Sequence, residues 1–78
     1  MSSKKEAIEK ARKDYGERYL KPLIILTVSA VTEDGYAPQP DEVHFLLSKY
    51  FKNADESPPK LEDVYKEIEK LKKENILK

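Results

Sequence analysis

The feature that most constrains this chain is its last segment, Ser57 to Lys78, reading SPPKLEDVYKEIEKLKKENILK. Leu61, Val64 (with Tyr65), Ile68 and Leu71 recur at spacings of three and four residues, and lysines and carboxylates fill the positions between them. That is the period of one helical face. A helix with such a face must lay it on apolar surface supplied by the rest of the chain. Ser57 followed by Pro58 and Pro59 suits a helix start, because proline's missing N–H costs nothing in the first turn. Asn75 is placed to stop the helix in the left-handed conformation, and Ile76-Leu77 resumes an apolar run beyond it.

The apolar surface has to come from the segments upstream. Ser3 to about Tyr19 reads as a first helix, with Ser3 and Glu6 spaced as in a capping box and a thin stripe of Ile8, Ala11, Tyr15 and Tyr19. Gly16 weakens its interior and is the point where it would break or fray. Pro22 restarts the chain at the first turn of a second helix, Pro22 to about Glu33. Its residues Leu23, Ile24, Ile25, Leu26, Val28, Ala30 and Val31 are apolar nearly all round, the mark of a central, buried element. Their β-branched content leaves a buried strand as the alternative for 22–33. Glu33-Asp34-Gly35 would end this element with a left-handed stop, and Tyr36-Ala37-Pro38-Gln39-Pro40 follows as a rigid connection. A third helix is expected from about Pro40 to Lys52, buried through Val43, Leu46, Leu47, Tyr50 and Phe51, with Phe45 widening that face. Asn53 to Ser57 is a polar turn joining it to the terminal helix.

Composition narrows the functional classes. The chain has 78 residues and no cysteine, so it forms one domain with a modest core and holds no disulfide or thiolate metal site. The same absence points to a cytoplasmic home. The longest apolar run, Leu23 to Val31, falls short of a membrane span, and the N-terminus lacks the apolar region of a signal peptide. Lysine plus arginine equals aspartate plus glutamate at fifteen each. That balance argues against nucleic-acid binding through the whole surface. It is not evenly distributed. Met1–Lys21 carries seven basic and four acidic residues, Pro22–Glu56 two and six, and Ser57–Lys78 six and five.

Catalysis finds no signature. His44 is the single histidine and falls beside the apolar face of the third helix. Asp41-Glu42 and Asp55-Glu56 read as helix-start partners rather than metal ligands, and no glycine-rich phosphate loop exists. No enzyme activity, cofactor or metal is expected.

The order of elements carries a resemblance. A buried helix, a Gly/Tyr/Pro connection, a second helix, a polar turn and a helix with Leu61, Tyr65, Ile68 and Leu71 lead into Lys72-Lys73-Glu74-Asn75-Ile76-Leu77. This resembles the core of a winged helix-turn-helix, particularly the PadR-type and other small archaeal and bacterial regulators, whose recognition helix carries a "VY..I..L..E.GLI"-like run. Val64, Tyr65, Ile68, Leu71, Glu74, Asn75, Ile76 and Leu77 match it, with Asn75 where the family has glycine. The resemblance covers about Leu20 to Lys78, and the wing hairpin that should follow Ile76-Leu77 is missing.

The resemblance implies a mainly α fold: a three-helix helix-turn-helix or winged-helix-like core at 22–78, an extra N-terminal basic helix at 1–21, and at most a vestigial strand. It implies a DNA-binding transcriptional regulator acting on double-stranded DNA as a homodimer. Lys60, Lys66, Lys70 and Lys73 would then meet phosphates, supported by a basic arm of Lys4, Lys5, Lys10, Arg12 and Lys13. Ile8, Tyr15 and Tyr19 would form the interface between copies. The same residues also fit a plainer pattern, a solvated face with i,i+4 pairs such as Glu62–Lys66 and Glu69–Lys73. The alternative function is a non-catalytic protein-interaction or dimerisation module, a helical bundle that binds a protein partner through the first helix or the face bearing Tyr36, Phe45 and Tyr50.

Overall fold

A computed structural model describes residues 3–32 and 38–77. Four α-helices run in the order α1 (Ser3–Tyr15), α2 (Leu20–Val31), α3 (Pro40–Asn53) and α4 (Leu61–Lys73), with a 3-10 turn over Gly16–Arg18 between the first two. The described residues contain no strand. Segment 22–33 is therefore a helix as far as Val31, and the strand alternative is set aside. The expected stop at Glu33-Asp34-Gly35, and Tyr36, lie outside the described residues.

Helices α2, α3 and α4 pack against one another, and α1 lies against α2 and α3. Their shared core holds Leu23 and Ile24 from α2, Val43, Leu47 and Phe51 from α3, and Val64, Ile68 and Leu71 from α4. Ile8 and Ala11 of α1 belong to the same cluster. The N-terminal segment is thus built into the core, and the expected boundary between residues 21 and 22 falls inside the first turn of α2.

Three residues with positive φ decide where helices end. Gly16, at φ +56°, stops α1 four residues short of the expected Tyr19, and a Cβ placed there would meet nothing within 4 Å. The break is therefore conformational rather than steric. Asn75, at φ +60°, ends α4 as its position in the sequence predicts. Its N–H bonds the Lys72 carbonyl at 3.1 Å, and the Ile76 N–H bonds the Leu71 carbonyl at 2.9 Å. This pair of bonds satisfies carbonyls that a helix end otherwise leaves open. Asp55, at φ +56°, ends α3 in the same way, with Asp55 N–H to Lys52 at 3.1 Å and Glu56 N–H to Phe51 at 2.9 Å. The polar turn after α3 also buries Ala54.

Helix starts differ more from expectation. Ser3 is already inside α1 rather than ahead of it. Helix α4 begins at Leu61, after the Ser57-Pro58-Pro59 stretch, with Lys60 extended and no side-chain cap. His44 fixes that approach, its ring Nε2–H donating to the Pro59 carbonyl at 3.0 Å. The α3–α4 connection therefore runs from Ala54 to Lys60, longer than the three or four residues of a compact helix-turn-helix.

Candidate interaction surface

Helix α2 was expected to be central and buried all round, and it is not. Leu20, Leu23 and Ile24 are buried, whereas Leu26 is 64% exposed and Ser29 and Ala30 are exposed beside it. Successive residues turn by about 100°, so Pro22, Leu26, Ser29 and Ala30 share the side of the helix opposite Leu20, Ile24 and Val31. From Pro22 to Thr32 the sequence has no ionisable residue, although 38% of the chain is charged. The outward side of α2 is therefore uncharged, while α1, α3 and α4 all expose lysines and carboxylates. The alternation of apolar and polar positions that marks a solvated helix face is absent here.

Tyr15, Leu61 and Ile76 are exposed as well, and Phe45 and Tyr65 are exposed beside a charged neighbour. Phe45 is 62% exposed and does not widen the buried face of α3; the Lys49 ammonium lies 5.9 Å from its ring centroid. Tyr50 is half-buried with the Lys4 ammonium 5.7 Å from its ring centroid. The Tyr65 hydroxyl donates to Asp41 Oδ1 at 2.7 Å, which holds its phenol protonated above the ordinary tyrosine range. On the outward side of α2 the side chains, those of Pro22, Leu26, Ser29 and Ala30, are hydrocarbon or hydroxyl.

The residues expected at an interface or on DNA fall into different settings. Ile8 is 0% exposed inside its own chain, so it offers nothing to a second copy. Tyr19 packs its ring 6.4 Å from that of Phe51, and Tyr15 stays half-exposed. Lys60, Lys66, Lys70 and Lys73 all lie on the solvent side of the α4 segment. Lys66 pairs with Glu62 at 3.1 Å, one helical turn away. Lys5, Lys10 and Lys13 are exposed on α1. Arg12 is engaged within the fold: it donates to Glu56 at 2.6 Å and lies 5.2 Å from the Tyr19 ring centroid. The Glu56 hydrogen bond holds its guanidinium charged more firmly than usual.

One cluster was not anticipated. Glu67, in the middle of the KEIEK run, is 5% exposed. Arg18 reaches it from the 3-10 turn, donating from Nη2 to Oε2 and from Nε to Oε1 at 3.3 Å. The same guanidinium donates to Glu74 at 2.9 and 3.0 Å. These bonds stabilise the Glu74 carboxylate, holding its carboxyl below the usual range and raising the Arg18 pKa. A bidentate guanidinium on two carboxylates joins the break after α1 to both the middle and the end of α4. A shallow cavity of about 280 Å³ beside it is lined by Glu17, Asp63 and Glu67 together with Lys66 and Lys70. Its charges are mixed, and nothing in it selects a ligand of one sign.

No family model, curated protein or solved structure matches the chain. Among the described residues no group of His, Asp or Glu is arranged to hold a metal, and no helix is long and apolar enough to cross a membrane.

Proposed function

We propose that the protein is a non-catalytic helical interaction module that docks through the outward side of α2. The observation that carries this reading is Leu26, 64% exposed at the centre of a helix face with no charge. Burying a leucine is worth roughly 1.5–3 kcal/mol, and this chain leaves most of that unrealised while spending charged residues on its other helix faces. A partner docking on this strip would cover Leu26 without having to desolvate a charge. The test is native mass spectrometry of the protein isolated from the cells that make it. The wild type is expected as a complex, and Leu26→Lys as a single chain. A wild type that is a single chain, or a Leu26→Lys complex indistinguishable from it, contradicts the reading.

DNA binding through α4 is the second reading, favoured by Lys60, Lys66, Lys70 and Lys73, each exposed along that segment. Against it, both arginines are held in internal ion pairs, and Glu62 and Asp63 crowd the helix start that would approach phosphates. Anisotropy of a labelled mixed-sequence duplex tests it. Micromolar binding that falls steeply with salt and is abolished by Lys66→Glu with Lys70→Glu supports this reading; no binding at low salt removes it.

A further inference from the structure

We draw no further inference here: the strongest candidate, the uncharged outward side of α2 around Leu26, is the face already assigned to docking, and nothing in the structure shows what covers it.

Discussion

Helix α2 supplies a matched pair that tests the packing most sharply. Leu23 and Leu26 are the same residue type, three positions apart in one helix, yet Leu23 is 4% and Leu26 64% exposed. Leu23→Ala removes buried methyl groups and leaves a cavity, a change that costs roughly 2–5 kcal/mol. At Leu26 only about a third of the side chain is covered, so the lost burial is at most about 1 kcal/mol by area. Alanine's higher helix propensity returns a few tenths of that. The two variants should therefore differ by roughly 1 kcal/mol or more. With a urea slope of about 1 kcal/mol per molar for a small protein, Leu23→Ala lowers the midpoint by about 2 M or more and Leu26→Ala by well under 1 M. The assay is urea unfolding followed by circular dichroism at 222 nm, at a protein concentration low enough to keep chains separate. Equal losses at the two positions would refute the one-sided burial of α2, and the docking face with it.

Further outcomes follow from the backbone and the ion pairs. Gly16→Ala meets no neighbour but must hold φ +56°, so it should destabilise by about 1 kcal/mol in the same urea assay. Asn75→Gly should be neutral or slightly stabilising and Asn75→Ala should cost about 1 kcal/mol, because the stop of α4 needs the left-handed conformation. Arg18 holds the Glu74 carboxyl below its ordinary value, so its contribution is fully present above about pH 4.3 and is lost as pH falls through the lower, folded-state value. The difference in urea midpoint between wild type and Arg18→Gln should therefore shrink as the pH is lowered below about 4.

How much of this was legible depends on the kind of signal. The helices were readable from periodicity: Val64, Ile68 and Leu71 are buried as their spacing predicts, and so are Val43, Leu47 and Phe51. Stops at Gly16 and Asn75 were readable because few residues tolerate the left-handed region. Asp55 does the same work but read as an ordinary polar turn residue. The exposed side of α2 was not readable, because a helix that is apolar all round looks alike whether or not its outer side is covered. Phe45 misled in a related way: its spacing beside Leu46 and Leu47 suggested core, and the fold turns it outward. Glu67 was hidden for a different reason. A glutamate between lysines and isoleucine reads as part of a solvated face, and its partner Arg18 lies 49 residues away along the chain. Only the packing of the 3-10 turn on α4 brings them together.

Site-specific photo-crosslinking in the producing cells distinguishes α2 from α4 as the docking face most directly. A photoreactive side chain at position 26 is compared with the same group at position 69, exposed on α4. A discrete protein adduct is expected from position 26 and none from position 69. Adducts from position 69 alone, or from neither position, would contradict it.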